Sequence, residues 1–459
     1  MNQNLRVLAD TPVLARALIA VGIVVLFTQF TLGLRAVRGA RQHRLLPLLI
    51  AGGGLLFALL LLLAYPATSS DLYDYLFRGR MAVRYGANPF VAPPQAFSAD
   101  PLFPLIGWPH AVTAYGPMWE ALSRLAARLA GEYPAAQGPP AGVAPLLKLL
   151  LAYKLLGVLG FLLCGGAIWW VLGLIAPAQR LAGLYLWLWN PLAVWELAGA
   201  GHNDGWMLLP MILAVGMVAM VARRGAKPMP ADPPVAQFAP QASTKKRGRM
   251  IAQALAGGST VFAVGALVLL AIGGLIKYLP LVLGPVLLAA AARRLPSWRQ
   301  RWRLAWLSAL VCLALIVLAY APFWEGIGTF HNVSDRREVF SVSWLNGLRL
   351  LLVAVGAGDE QARTAAVLMG LLLLLAGTAW ATWQSWSHPR RVISHVFWLL
   401  LWMIFVCNPT TQGWYLLWPL AIAALQPWRA RLIGAFNLCA CAALLAYVVS
   451  SFVVPLVGQ

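Results

Sequence analysis

Charge is scarce in this chain. Charged residues make up 11% of 459 and apolar ones 61%, against roughly 25% and about 45 to 50% in soluble proteins. That shortage excludes an ordinary soluble globular enzyme, whose surface has to be wetted by ionic side chains. Acids are the rarer sign, with 14 Asp and Glu against 35 Lys and Arg and a formal charge of +21. The five cysteines (Cys164, Cys312, Cys407, Cys439, Cys441) all lie in apolar runs without metal-ligand spacing, which argues against both a disulfide framework and a zinc site. No cofactor motif is present, and the reading implies neither metal nor cofactor.

What the chain has instead is apolar runs of about 20 residues, the length that crosses a hydrocarbon core of roughly 30 Å. They predict an all-α polytopic membrane protein of about twelve transmembrane helices, at 17–34, 45–66, 148–172, 181–197, 205–222, 253–275, 279–292, 304–322, 362–384, 393–407, 412–426 and 432–454, forming one domain over 1–459. The loops at 35–44, 177–180, 223–250, 293–303, 385–392 and 427–431 carry 21 of the 35 basic residues and one acid, Asp232. Placed on the cytoplasmic side, they account for nearly all the basicity as a topology signal suited to an anionic leaflet, so nucleic acid is not needed as a partner. Both termini then lie outside. Arg6 and Arg16 pull the other way and are outvoted by Arg35, Arg38, Arg41 and Arg44. The first span lacks a cleavage pattern and is not read as a signal peptide.

Three segments stand apart from the spans. Residues 66–145 form a long outer loop rich in Pro, Gly, Tyr and Trp, with an amphipathic stretch at 117–129 that predicts an interfacial helix. Residues 324–361 form a second outer loop, whose apolar part reads as interfacial or re-entrant. Residues 223–250, rich in Pro, Ala and Lys, read as a disordered cytoplasmic linker.

Under this topology thirteen of the fourteen acids gather at the outer ends of spans, where acids default to functional candidates. The densest cluster opens the first outer loop, from Ser69-Ser70-Asp71 to Gly79-Arg80. Asp71, Asp74, Tyr75 and Arg78 share one face of a helix by their spacing, which places a carboxylate able to act as general base. The competing reading is structural: Ser70 or Asp71 caps the helix and Asp74 pairs with Arg78. The loop continues with Tyr85-Gly86-Ala87-Asn88-Pro89-Phe90 and Ala114-Tyr115-Gly116-Pro117, whose aromatics suit sugar stacking and equally an interfacial belt.

A second constellation runs from Trp189-Asn190-Pro191 through Glu196 to Gly201-His202-Asn203-Asp204, where Asn203 or Asp204 also suits a helix cap. One His beside one Asp falls short of a metal site. Lys277-Tyr278-Leu279-Pro280 marks a helix break. Arg336 and Arg337 lie in the second outer loop, and Gln412-Gly413-Trp414-Tyr415 lies between late spans. Cations at such depths suit a lipid phosphate or simply snorkel.

Together these motifs resemble the GT-C superfamily of lipid-phosphate-sugar glycosyltransferases, and within it the bacterial polyprenol-phosphate-mannose-dependent mannosyltransferases, over about 45–425. The resemblance implies a GT-C-like bundle in the cell membrane that moves a sugar, mannose, from a polyprenyl phosphate to a hydroxyl of a glycan or glycolipid on the outer face, with inversion. It implies Asp71 as the base. The family's acids are often adjacent pairs, whereas Asp74 is three residues on, and Arg78 leaves it a structural or orienting partner. Candidate phosphate ligands are Arg78, Arg80, Lys277, Arg336 and Arg337. Candidate sugar or acceptor contacts are Tyr75, Tyr115, Glu196, His202, Asn203, Asp204, Gln412, Trp414 and Tyr415. The rival class is a transporter or flippase of a lipid-linked substrate, since broken helices also mark transport sites. It predicts inverted repeats and midplane polar groups, and the sequence offers neither.

Overall fold

The computed structural model describes residues 11–40, 43–66, 68–132, 143–223, 259–330 and 340–457. Among these the regular structure is helical, and the sole β feature is an isolated bridge between Glu325 and Ile327. In chain order the helices are α1 (Val13–Gly39), α2 (Leu46–Leu62), α3 (Asp71–Arg84), α4 (Pro117–Leu129), α5 (Val143–Ile175), α6 (Arg180–Leu188), α7 (Asp204–Arg223), α8 (Ser259–Gly274), α9 (Gly284–Ala292), α10 (Trp298–Tyr320), α11 (Trp344–Ala354), α12 (Asp359–Ser387), α13 (Val392–Trp402), α14 (Leu417–Ala423) and α15 (Ala430–Val457).

Seven helical stretches are each long and apolar enough to cross a membrane: Val13–Gly39, Leu146–Ile175, Asp204–Arg223, Trp298–Phe323, Asp359–Ser387, Pro389–Cys407 and Ala430–Ser450. Shorter apolar helices, Leu46–Leu62, Thr260–Gly274, Leu279–Ala292 and Gly413–Ala423, fall on four more of the predicted spans, and the span expected at 181–197 is a nine-residue helix, Arg180–Leu188, followed by a break at Asn190. The apolar stretches of α10 and α12 are only 17% buried. Leucines and valines such as Leu310, Leu313, Leu318, Leu372 and Leu375 stand exposed along them. Apolar surface on this scale is not stable against water. Against lipid it costs nothing, so these helices form the lipid-facing wall of a membrane protein.

The interior is organised on α7, whose apolar stretch is 72% buried, between α5 and α8. Two contacts tie it to α5 at its first turn: the Trp206 indole donates to the Leu156 carbonyl at 3.0 Å, and the Cys164 thiol donates to the Gly205 carbonyl at 3.2 Å. Lys154, also on α5, donates to the last carbonyls of the α2 segment, at Leu61 (2.8 Å) and Ala64. Carbonyls at the end of a helix carry the negative end of its dipole, and the Leu61 carbonyl accepts from the Ala64 amide at 3.0 Å as well. A lysine buried in an apolar bundle thus ends α2 at the point where the chain leaves for α3.

Within the long 66–145 segment, residues 68–132 fold on themselves. The amphipathic helix expected at 117–129 is α4, bounded by Gly116 before a Pro at its first position, the ordinary start signal. A buried ion group holds the loop together: Arg80 bonds Asp100 at 2.8 Å and also Glu132, while the Tyr85 hydroxyl donates to Asp100 at 2.6 Å. The apolar part of 324–361 forms the short helix α11. The expected linker lies outside the described residues from Arg224 to Met250.

Candidate active site

The site forms where α3 begins. Ser70 precedes the helix without a side-chain cap; the Ser69 hydroxyl instead accepts from the Asp71 amide at 3.1 Å. This corrects the capping expected of Ser70 or Asp71 and leaves the Asp71 carboxylate to side-chain partners. Its Oδ2 accepts from the Tyr75 hydroxyl at 3.4 Å and the Tyr115 hydroxyl at 3.3 Å, and those hydroxyls lie 3.2 Å apart. Tyr75 also reaches Asn203 Oδ1 at 3.4 Å. Three segments distant in sequence therefore meet at one carboxylate.

The second constellation supplies the floor. Asn190 caps the turn at Pro191 by accepting from the Leu192 amide at 3.0 Å, and the chain then widens into a π-helical turn over Val194–Gly199, a distortion common at functional sites. Gly201 follows at φ +74°, where a side chain would be strained and would also meet Leu72. This backbone brings His202 Nε2 to 3.3 Å from Glu196 and His202 Nδ1 to 3.8 Å from Asp71. The ring stacks on Trp414 with centroids 4.4 Å apart. Burial alone would lower the His202 pKa, but Glu196, Asp71 and Asp204 around it raise it above its ordinary value.

Behind the floor, Asp204 is fully buried and receives Lys277 at 3.0 and 3.1 Å and the Trp418 indole at 2.7 Å. The Lys277 ammonium lies 5.7 Å from the Tyr115 ring centroid, so Tyr115 separates the cation from Asp71. That arrangement depends on Gly116. Its amide donates to the Ile276 carbonyl at 2.9 Å, and a Cβ there would collide with the backbone of Leu275. Only glycine lets the loop dock on the helix break that carries Lys277.

Exposure separates the acids. The Asp71 side chain is 17% exposed, like that of Lys277, whereas those of Glu196, His202 and Asp204 are fully buried. Asn203 is also buried, so Glu196, His202, Asn203 and Asp204, expected as sugar or acceptor contacts, lie behind Asp71 rather than in an open cleft. Gln412, Trp414 and Tyr415 are half-buried beside them, with Tyr415 stacked on Trp418 at 4.4 Å.

Two basic residues differ from expectation. Arg80 is buried in its ion group with Asp100 and Glu132 and is a structural cation of the loop. Arg78 donates to the Ala111 carbonyl at 2.9 Å, and Asp74 accepts instead from the Trp108 amide at 3.3 Å, so the expected Asp74–Arg78 pair is not formed. Arg336 and Arg337 lie outside the described residues. Among the described residues no group of three or more His, Cys, Asp or Glu could hold a metal ion.

Burial pushes the carboxyls of Asp74 and Glu120 up to about 7 each. An acid whose pKa rises on folding favours the folded state in its protonated form. That contribution is complete below about pH 4 and is lost as pH rises through 7. At about 1.4 kcal/mol per pH unit, each of the two carboxyls should cost the loop up to a few kcal/mol over that range. Thermal unfolding should therefore occur at higher temperature at pH 5 than at pH 8, and Asp74→Asn with Glu120→Gln should shrink the difference.

A family model described as "Alpha-(1->6)-mannopyranosyltransferase, N-terminal domain" matches residues 2–293. The chain belongs to this family. It is 26% identical over 414 residues to an alpha-(1->6)-mannopyranosyltransferase of Mycobacterium tuberculosis, covering 82% of this chain and 65% of the relative. It is 25% identical over 430 residues to a probable alpha-(1->6)-mannopyranosyltransferase of Mycolicibacterium smegmatis, covering 88% and 68%. The chain thus spans about two thirds of the length of these relatives. The family match contains Asp71, Tyr115, Glu196, His202, Asp204 and Lys277, and it ends before Trp414 and Trp418. The mannosyltransferases are the grouping that the motif order resembled.

Sequence reasoning missed Trp418 and Tyr447. Trp418 looked like one more interfacial tryptophan, since nothing local links it to an acid 214 positions away. Tyr447 sits in an apolar run of α15 and packs its hydroxyl against Gly413.

Proposed function

We propose that the chain is an integral membrane mannosyltransferase that moves mannose from a polyprenyl-phosphate donor to a hydroxyl of a glycan or glycolipid acceptor. The reaction takes place on the outer face of the cell membrane and inverts the anomeric centre. The observation that carries this reading is the contrast in exposure: within a cluster of Asp71, Glu196 and Asp204, only Asp71 stays accessible, whereas Glu196 is closed over by His202 and Asp204 by Lys277.

In this mechanism Asp71 takes the proton of the acceptor hydroxyl while that oxygen attacks the anomeric carbon. The bond to the phosphate oxygen breaks on the opposite side of the sugar. Tyr75 and Tyr115 hold the carboxylate by their hydroxyls, and the His202–Glu196 pair orients it from behind. The departing phosphate carries growing negative charge, which Lys277 is placed to stabilise, with Arg336 or Arg337 as further cations. Phosphate is itself a fair leaving group, so the step requires no metal. The lipid-facing helices supply the apolar wall that a polyprenyl tail needs, the twelve apolar segments each cross the membrane, and α11 lies at its surface.

Orientation is the part of this reading most simply tested. Ser98, in the Asp71 loop, should label with an impermeant thiol reagent in intact cells as Ser98→Cys, while Ser243→Cys should label only after permeabilisation. The reverse pattern would put the site on the cytoplasmic face and remove the proposed donor side.

A further inference from the structure

The arginine-rich end of the bundle carries a second built cavity. Helix α7 starts at Asp204 in the active-site cluster and ends at Arg223. Its 20 residues make it about 30 Å long, so its ends lie roughly one hydrocarbon core apart. At the far end, Arg223, Arg390, Arg391 and Arg429 line a cavity of about 510 Å³ together with Gln426 and Trp428, within the roughly 300 to 1,000 Å³ of small-molecule sites.

Among the described residues no carboxylate lines this cavity. Among the described residues none of its four arginines is in an ion pair. Like charges gathered this closely repel unless something of opposite sign lies between them. A second cavity of about 460 Å³, lined by Arg293, Arg294 and His388, shares Arg390 and Arg391 with the first, so the basic lining continues around that edge.

Positive charge alone would describe any arginine-rich loop. The internal hydrogen bonding of this one is more specific. Arg429 donates to the Ser394 hydroxyl at 3.2 Å, and that hydroxyl donates to Gln426 Oε1 at 2.9 Å. The Gln426 amide is thereby held with its oxygen occupied. Gln426 is 1% exposed, and its Nε2 has no hydrogen-bond partner. A buried donor is rarely left without an acceptor, and an oxyanion in the cavity would supply one. Several guanidinium forks suit the many oxygens of a phosphate better than the two of a carboxylate.

We propose that this cavity binds a phosphate-bearing anion, held by Arg390, Arg391 and Arg429 and by the Gln426 amide nitrogen. The phosphate belongs either to an anionic phospholipid head group or to free phosphate. The site is separate from the proposed transfer chemistry, and its test does not depend on activity.

The test uses the purified full chain. Native mass spectrometry measures retained phosphatidylglycerol relative to phosphatidylcholine, and calorimetry follows inorganic phosphate binding in phosphatidylcholine nanodiscs. Three variants are compared: Arg391→Ala with Arg429→Ala; Gln426→Glu, nearly isosteric but acidic; and Arg299→Ala with Arg303→Ala, which removes the same charge outside the cavity. The first two should lower binding about tenfold or more, as expected for lost charge-assisted contacts, and the third should leave it nearly unchanged. Preference for phosphatidylglycerol without phosphate binding assigns a lipid head group, and phosphate binding without lipid preference assigns free phosphate. The proposal fails if neither ligand exceeds the phosphatidylcholine level, or if the control pair loses as much as the cavity pair.

Discussion

Asp71→Asn is expected to lower turnover by about 10² or more while the protein still folds and binds donor. The substitution keeps the size of the side chain and its acceptor oxygen for Tyr75 and Tyr115, so the packing of α3 is retained; what it removes is the ability to take a proton. Asp74→Asn should cost far less. Asp74 is 4% exposed and faces the Trp108 amide rather than the tyrosine pair. Steady-state kinetics with both substrates varied separates the two. A near-normal Asp71→Asn together with an inactive Glu196→Gln or Asp204→Asn would move the base into the buried floor.

Lys277→Ala is expected to have two effects that a second variant pulls apart. Asp204 is fully buried, with Lys277 as its cation and the Trp418 indole as its other partner. Removing the lysine alone strands a buried carboxylate, at a cost of about 3 to 5 kcal/mol, seen as a lower melting temperature. If Lys277 also holds the donor phosphate, the KM for donor should rise by about tenfold or more, with acceptor KM little changed. Lys277→Met with Asp204→Asn removes the stranded charge and should recover much of the stability without recovering donor affinity. Recovery of both would make Lys277 a purely structural partner of Asp204.

The parts of the site that were legible in sequence are those carried by local signals. Ser69-Ser70-Asp71 before an apolar-periodic stretch marked the start of α3, and Gly116-Pro117 before an amphipathic repeat marked α4, with the expected and observed limits coinciding at 117 and 129. Of the twelve apolar runs expected as spans, seven coincide with helices long and apolar enough to cross a membrane, because hydropathy is additive along the chain. What escaped were pairings over long separations. No local signal joins Asp100 or Glu132 to Arg80, which was expected to hold a phosphate, yet both close on it. The spacing that put Asp74 four residues from Arg78 predicted an ion pair, but tertiary contacts to Trp108 and Ala111 won both side chains. The π-helical turns at Val194–Gly199 and Met403–Cys407 leave no mark in an apolar run. They nevertheless precede the His202 and Trp414 segments and set the register in which those rings stack.

The most direct measurement is transfer itself. Purified protein is incubated with radiolabelled polyprenyl-phosphate-mannose of known anomeric configuration and a panel of glycan and glycolipid acceptors, and the linkage of the product is determined by NMR. The account predicts a labelled mannoside of opposite configuration to the donor, formed by the natural chain and lost with Asp71→Asn. Transfer with retained configuration, or transfer from a nucleotide-linked mannose while the lipid-linked donor stays intact, would contradict it.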